Sequence, residues 1–260
     1  MRLPRVQAFE FNDQPWVPAV LRDTIVEALS RTLAWGKILD GLAAPLASFL
    51  DFAGTDRVLD LGSGGGGPAD VLVSALERRG THVSWVLTDL FPRPDVWREI
   101  QKRHPRSIDL VDHPIDATSI PQELSAGHAR TIINVLHHLP EELARGILRD
   151  AVEHRAPIFI AEGFERSPLR FLSFAPFGVP ALAAGPILSR DRRLQRALIA
   201  WLTPIAVTAS IWDGVVSTLR VYSEAELREM AGEAPGYRWV YGHYRWVPFG
   251  KGYYFYGVPG

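Results

Sequence analysis

The chain has 260 residues, of which 47% are hydrophobic and 22% are charged. This composition is typical of a globular protein and excludes a disordered or fibrous chain. Basic and acidic residues nearly balance, with a formal net charge of −1, so binding to nucleic acid through phosphate contacts is not expected. Cysteine is absent, which excludes disulfides, cysteine nucleophiles and thiolate metal sites.

The first ten residues lack the apolar segment of a signal peptide, so we expect a cytoplasmic protein. The basic residues are almost all arginine, a bias that indicates a GC-rich bacterial genome. Residues 17–50 then show apolar residues at three- and four-residue spacing, which predicts helices, with Pro18 in a first turn.

Five short apolar runs alternate with helical stretches between residues 57 and 161. This alternation predicts a parallel sheet with helices on both faces. The predicted strands are 57–61, 83–87, 108–111, 131–136 and 157–161. After Pro235 and Gly236, two alternating aromatic runs at 237–246 and 253–256 predict an antiparallel strand pair at the sheet edge.

Two segments, 171–189 and 197–212, carry no charged residue. Prolines in the first argue against one continuous membrane-spanning helix, and the second is short and interrupted by Pro204. Helices packed on the sheet and on one another are the simplest expectation. An interfacial hairpin that contacts a membrane surface through 171–212, anchored by the arginines between 190 and 196, is the alternative.

A glycine loop, Gly62–Gly67, separates the first strand from a helix that begins near Pro68. Such loops bring ligand atoms close to backbone N–H groups. The spacing fits both GxGxG and the dinucleotide pattern GxGxxG. Asp60 before the loop suits a cationic or amine-bearing ligand, and Asp89 after the second strand can accept hydrogen bonds from ribose hydroxyls.

Five segments in this order resemble motifs of the class I S-adenosylmethionine-dependent methyltransferases, small-molecule type. They are Val58–Gly66, Leu87–Asp89, Ile115–Ala117, Leu136–Pro140 and Ser223–Leu227. The resemblance covers roughly residues 55–165 and 218–258. The chain departs from the family by lacking an Asp at the start of the fourth strand and by an apolar insertion at about 166–215.

The resemblance implies a Rossmann-like, doubly wound, seven-stranded α/β sheet, mostly parallel with an antiparallel C-terminal strand. It implies a helical N-terminal lid segment at 1–52 and a methyltransferase domain at 53–260 that contains the helical insertion. The methyl donor would be S-adenosylmethionine, with S-adenosylhomocysteine as product. The cofactor-binding roles carry over to Asp60, Gly62, Ser63, Gly64, Gly66, Asp89, Leu90, Asp116, Ala117 and Asn134.

His137 and His138 are the candidate catalytic bases, because histidine can take a proton from an acceptor hydroxyl or amine near pH 7. Consecutive side chains at a strand end point apart, so we expect only one of them to face the acceptor. No spacing favours a metal site. The acceptor is expected to be a small, apolar or aromatic molecule, held beneath the insertion by Phe174, Phe177, Trp201 and Trp212, with Asp213 or Tyr222 as a polar contact.

Two other functions remain open at the level of sequence. The glycine loop also suits a nicotinamide-dependent oxidoreductase. A non-catalytic, methyltransferase-like protein that binds a partner or a membrane surface is the third possibility, since fold does not prove function.

Overall fold

The computed structural model of the chain describes residues 4–189 and 191–260. Within these ranges, seven strands form one sheet in the order β3-β2-β1-β4-β5-β7-β6. Neighbouring strands among β1 to β5 run parallel, and β7 runs antiparallel to β5. The strands are β1 (Arg57–Leu61), β2 (Ser84–Thr88), β3 (Ile108–Leu110), β4 (Ala129–Ile133), β5 (Ile158–Glu162), β6 (Tyr237–Trp246) and β7 (Gly250–Pro259). The predicted Rossmann-like sheet with an antiparallel C-terminal strand is therefore confirmed.

Helices connect the parallel strands as the alternating pattern predicts. The described α-helices are α1 (Ala19–Trp35), α2 (Ala43–Ala53), α3 (Gly67–Glu77), α4 (Pro94–Arg103), α5 (Gln122–Ser125), α6 (Glu141–Glu153), α7 (Ala175–Leu188), α8 (Arg193–Ala197), α9 (Ile205–Arg220) and α10 (Glu224–Ala231). Of these, α3 to α6 connect the parallel strands, α1 and α2 precede β1, and α7 to α10 lie between β5 and β6. The helix α10 begins with a complete capping box, in which Ser223 and Glu226 satisfy each other's backbone N–H groups.

The fourth strand ends three residues earlier than predicted. Asn134 adopts a left-handed conformation with φ of 57°, and its side-chain oxygen accepts the backbone N–H of Gly163 at 2.6 Å. Residues Leu136–His138 then form a 3-10 turn. Asparagine tolerates left-handed backbone because its short amide bonds locally, and this ends the ladder after Ile133.

The described chain divides into two compact units. The glycine-loop unit comprises Leu39–Gly163, Tyr222–Tyr244 and Gly252–Gly260. The insertion unit comprises the N-terminal residues up to Ile38, Phe164–Val221 and Arg245–Lys251. The N-terminal helix α1 and the insertion helices α7 to α9 thus belong to one unit, whereas α2 belongs with the sheet.

The core of the glycine-loop unit lies on both faces of the central strands. Every residue of β4 and β5 is buried, including the polar Arg130, Thr131 and Glu162. The ring of Phe49 on α2 lies 5.3 Å from the rings of both Phe159 and Tyr256. These aromatic contacts fix α2 against β5 and β7.

The insertion unit has its own small core. It is formed by buried side chains of α1, α7 and α9: Val17, Leu21, Ile25, Ala28, Leu182, Ala206 and Ala209. Gly178 faces Thr32, where an added Cβ would lie 3.7 Å from the threonine hydroxyl. Small residues on α7 therefore allow its backbone to approach α1 closely.

The prolines of residues 171–189, which were expected to argue against one continuous membrane-spanning helix, do not interrupt the helix. Residues 168–188 are helical throughout, as a 3-10 segment followed by α7, and are long and apolar enough to cross a membrane. Pro176 lies in the first turn of α7, where a missing N–H costs no helical bond. Pro180 and Pro186 lie inside the helix, which is held by its packing against α1.

Two pairs of bent helices also meet that test of length and composition when each pair is taken as one span. One of them joins residues 193–202 to residues 205–220 with a bend of 77°. The bend falls at Pro204, where the sequence predicts the interruption.

Candidate active site at the glycine loop

The loop that follows β1 wraps tightly over the carboxyl ends of β1 and β2. The backbone N–H of Ser63 donates to the carbonyl of Thr88 at 2.9 Å, and that of Gly66 donates to Ser63 at 2.7 Å. On α4, the indole N–H of Trp97 donates to the carbonyl of Gly64 at 2.9 Å. The loop is therefore held from below and from one side before any ligand binds.

Two glycines in the loop are required for different reasons. Gly66 has a φ of 73°, and a Cβ there would lie 2.4 Å from the side chain of Ile100. Gly64 has a φ of 52°, but an added Cβ would meet nothing within 4 Å. Gly66 is thus needed for packing, whereas the space beside Gly64 is open to a ligand.

Asp60 lies beneath the loop and is buried. One carboxylate oxygen accepts the hydroxyl of Ser63 and the other accepts the hydroxyl of Thr131, both at 2.7 Å. Burial raises the pKa of Asp60 to about 6, although these hydroxyl donors oppose the shift. Asp60 links β1 to β4, and its direct contact with a donor remains a prediction.

Asp89 lies at the end of β2, against the open side of the loop. Its carboxylate accepts the backbone N–H of Gly64 at 2.7 Å and that of Phe91 at 2.8 Å. The following residue, Leu90, is half exposed. A carboxylate held by two backbone donors is well placed to receive hydroxyl groups of a ligand that lies on the loop.

Asp116 and Ala117 lie close to Asp89, along the edge of the sheet where the parallel strands end. The backbone N–H of Ile115 donates to the carbonyl of Asp89 at 2.9 Å, which fixes this segment beside β2. The carboxylate of Asp116 is exposed and accepts the N–H and hydroxyl of Thr118. The structure thus brings together the acidic residues of the second and third strand ends.

Asn134 bounds the site on the side of β4. Its neighbour Val135 touches the loop, since a Cβ on Gly62 would lie 3.0 Å from Val135. The ends of β1 and β4 therefore meet at the glycine loop. This is the edge at which open parallel sheets bind ligands.

His137 and His138 lie on the 3-10 turn that follows β4, not on the strand itself. Their ring centroids are 4.1 Å apart with an interplanar angle of 38°. The expectation that the two side chains point apart is therefore wrong. In a 3-10 turn the angle between consecutive side chains is smaller than in a strand, where they point to opposite faces. His137 is buried, and His138 is partly exposed.

Glu162, the last residue of β5, was not among the site residues predicted from the sequence. It is fully buried, and its carboxylate lies 2.8 Å from Nδ1 of His137 and accepts the backbone N–H of the same residue at 3.1 Å. Burial raises the pKa of Glu162 to about 8, opposed by the His137 N–H and the nearby His138. The available signal was a charged residue directly after the predicted apolar strand 157–161.

The aromatic residues predicted to line an acceptor pocket have different environments. Phe174 is buried against Phe171 and Trp246, while Trp201 and Trp212 are about half exposed. Both proposed polar contacts are buried and already bonded within the protein. The carboxylate of Asp213 accepts the backbone N–H groups of Phe11 and Asn12, and the hydroxyl of Tyr222 donates to the carbonyl of Leu139.

Comparison with solved protein structures shows that the chain is similar to methyltransferases. The chain is 16% identical to NcsB1, an O-methyltransferase from neocarzinostatin biosynthesis in complex with S-adenosylmethionine and 2-hydroxy-5-methyl naphthoic acid, with a TM-score of 0.53 over 93% of this chain and 59% of NcsB1. The NcsB1 complex with S-adenosyl-L-homocysteine and 1,4-dihydroxy-2-naphthoic acid gives 18% identity and a TM-score of 0.52 over the same shares. The chain thus spans about three fifths of NcsB1.

This chain has the methyltransferase fold. Magnesium protoporphyrin IX methyltransferase from Synechocystis PCC 6803, with S-adenosylhomocysteine bound, is 16% identical with a TM-score of 0.48, over 96% of this chain and 91% of that one. No protein-family model and no curated protein matches the sequence. Within the methyltransferase fold, the described residues fit a nucleotide-type donor, since open space beside Gly64 adjoins the carboxylate of Asp89.

Proposed function

We propose that the protein is an S-adenosylmethionine-dependent methyltransferase that acts on a small, apolar or aromatic acceptor in the cytoplasm. The observation that carries this proposal is the arrangement of Gly64 and Asp89. An open, left-handed glycine and an oriented carboxylate occupy the strand edge at which this fold binds its ligands. The donor would supply an electrophilic methyl carbon on a sulfonium ion.

The residues of the loop would bind and orient the donor. Asp89 would accept the ribose hydroxyls, and the backbone around Gly64 would approach the donor closely. Asp60, when ionised, would place a negative charge beneath the cationic part of the ligand. Because methyl transfer is an in-line displacement, orientation and proximity are the main contributions required from the protein.

A histidine on the turn after β4 would take the proton of the acceptor. His138 is the better candidate, since it is the more exposed of the two rings. His137 is held by Glu162 through both its ring and its backbone, so we assign it to positioning. The ring of His137 then supports that of His138 from 4.1 Å away.

The acceptor class rests on chemistry and on the structural comparison. NcsB1 is described with hydroxylated naphthoic acids, which are small aromatic acceptors. A phenol of this kind needs a base near neutral pH, and histidine meets that need. We therefore propose phenolic, naphthoate-like compounds as the first acceptors to test.

The experiment has two stages. Thermal shift with S-adenosylhomocysteine and with NAD asks which ligand stabilises the folded chain, since only a ligand of the native state raises the melting temperature. Labelled S-adenosylmethionine is then incubated with a panel of phenols and hydroxynaphthoic acids. We expect stabilisation by S-adenosylhomocysteine alone and label transfer to at least one acceptor, with loss of both in Asp89→Ala.

Two results would contradict the proposal in different ways. Stabilisation by NAD and not by S-adenosylhomocysteine would favour a nicotinamide-dependent oxidoreductase. Donor binding without label transfer to any acceptor of the panel would favour a non-catalytic binding protein.

A further inference from the structure

The insertion unit exposes an unusual amount of apolar surface. Leu169, Leu194 and Leu202 are 80%, 89% and 77% exposed. Single exposed apolar residues are common, but contiguous ones mark an interaction surface. We define the apolar face by these three residues together with Leu172, Ile187 and Trp201, all more than half exposed.

The residues of the apolar face lie on neighbouring elements. The indole N–H of Trp201 donates to the carbonyl of Ala183 at 2.8 Å, which holds the 198–202 turn against α7. The helix α7 contains no polar side chain, and only 33% of the most apolar window of residues 168–188 is buried. A helix that is apolar on all sides needs cover on all sides, and α1, α8, α9 and the 198–202 turn together leave most of this window exposed.

We propose that the apolar face docks on the surface of a phospholipid bilayer, with the insertion helices in the interface plane. A fluid bilayer can surround side chains that protrude as far as Leu194 and Leu202 without a complementary shape. Tryptophan is favoured at the boundary between headgroups and acyl chains, and Trp201 lies on this face. This inference goes beyond the proposed methyl transfer and does not depend on it.

The charged residues next to α7 oppose a transmembrane arrangement. Arg31 on α1 donates both to Glu27 and to Ser189 at the end of α7. The buried Arg196 donates to Glu27 as well. A bilayer that enclosed α7 together with α1 would place this cluster in hydrocarbon, which is costly. Docking in the interface plane leaves it in the polar region.

Most of the described arginines that would anchor the alternative interfacial hairpin are already paired with acidic residues; Arg193 is exposed and donates to the carbonyl of Ser189, and Arg190 lies outside the described residues. Arg170 pairs with Glu165, Arg192 pairs with Asp23, and Arg196 is buried in its pairs with Glu27 and Asp191. These cations are neutralised within the unit. Docking is therefore expected to depend on apolar burial and to show little preference for anionic lipid or low salt.

A groove beside the apolar face is also lined mainly by apolar and aromatic side chains. It has a volume of about 400 Å³ and is lined by Phe9, Phe11, Leu21, Ile205, Thr208, Ala209 and Trp212. Its polar groups are already bonded, since the hydroxyl of Thr208 donates to Pro204 and the indole of Trp212 donates to Phe9. The remaining lining is hydrocarbon and aromatic, which suits an acyl chain from the bilayer.

Co-sedimentation of the full chain with vesicles tests the proposal. Vesicles of phosphatidylcholine alone are compared with an equal mixture of phosphatidylcholine and phosphatidylglycerol, each at about 0.1 M and about 1 M salt. We expect binding to both kinds of vesicle, with less than about a twofold change between salt concentrations. Leu194→Glu with Leu202→Glu should weaken partitioning about tenfold or more.

A matched control introduces the same charge elsewhere. Leu143 on α6 is 45% exposed, and Leu143→Glu should leave vesicle binding unchanged. Circular dichroism and the melting temperature show whether the variants fold. If they do not, vesicle binding by the wild-type chain still tests the proposal. Absence of binding, binding only to anionic vesicles at low salt, or a dimer dissociated by Leu202→Glu that binds no vesicles would each overturn the proposal.

Discussion

Glu162 holds His137 at two points. One oxygen of its buried carboxylate lies 2.8 Å from Nδ1 of the imidazole, and the other accepts the backbone N–H of the same residue at 3.1 Å. This arrangement fixes the ring plane and directs Nε2 away from the carboxylate. The pair therefore sets the geometry of the turn that carries His138.

Replacement of Glu162 by glutamine should impair turnover more than donor binding. The amide keeps the shape of the side chain but places an NH2 group where one carboxyl oxygen stood, so one of the two contacts with His137, at Nδ1 or at the backbone N–H, loses its acceptor. We expect kcat to fall about 10- to 100-fold with nearly unchanged donor affinity. Steady-state kinetics measure kcat and calorimetry measures donor affinity, with Glu153→Gln at an exposed position as control. Equal losses in kcat and donor affinity would contradict a positioning role.

The same substitution should change how stability depends on pH. The pKa of Glu162 is about 8 in the folded chain and near 4.5 when unfolded, so the folded state retains a proton that the unfolded state has released. Stability contributed by this group is therefore lost as pH rises from about 4.5 through about 8. Urea unfolding measures the free energy of unfolding, which we expect to decrease in the wild-type chain between about pH 6 and about pH 9. In Glu162→Gln this decrease should be smaller by about 1–3 kcal/mol.

The two histidines should differ in their contributions. We expect His138→Ala to reduce turnover about 10²–10⁴-fold, the range of general-base catalysis, and His137→Ala to reduce it less. Because a base must be deprotonated to act, the rate of the wild-type enzyme should fall at low pH. That acidic limb should disappear in His138→Ala. Full activity in both single variants and in the double variant would show that neither ring acts as the base.

Asp89→Ala should weaken donor binding by about 1.5–3 kcal/mol, the value of a hydrogen bond to a charged group. Gly64→Val should be more damaging, because a branched side chain would occupy open space and oppose a φ of 52°. The nearby Asp95→Ala is a suitable control, since its side chain is 96% exposed. Unchanged affinity of Asp89→Ala in calorimetry would remove Asp89 from the donor site.

Donor binding should also depend on the ionisation of Asp60. Its folded pKa of about 6 means that the carboxyl is mostly protonated near pH 5 and mostly ionised near pH 7. A cationic donor favours the ionised form, so affinity should decrease as pH falls through about 6. Calorimetry at the two pH values should show this decrease in the wild-type chain and a smaller one in Asp60→Asn.

In the insertion unit, Arg220 holds the N-terminal segment in place. It is buried, pairs with the buried Glu10 and with Asp13, and donates to the carbonyl of Ala8. Arg220→Met leaves Glu10 without its cation, which should cost about 3–5 kcal/mol. The exposed Arg228, paired with Glu224, is the matched control, and Arg228→Met should cost less than about 1 kcal/mol. Chemical unfolding of both variants measures the difference.

The sequence alone was sufficient to predict the sheet and the glycine loop, because both depend on local patterns. Apolar runs of strand length, glycines after β1 and the capping box of Ser223 act within a few residues. The candidate donor residues were predicted in the same way, since they lie at or after the carboxyl ends of strands. Parallel strands end at one edge, so their order along the chain already predicts that these residues meet.

Only the tertiary structure decided the contacts between distant segments. Glu162 is 25 residues from His137, and no periodicity relates them until β4 and β5 pair in register. Asn134 ends β4 because its amide reaches Gly163, the residue after the neighbouring strand β5, and a strand pattern does not contain this contact. The helix α7 forms despite its prolines because packing against α1 supports it. Such stabilisation comes from three-dimensional neighbours, and a local pattern carries no information about them.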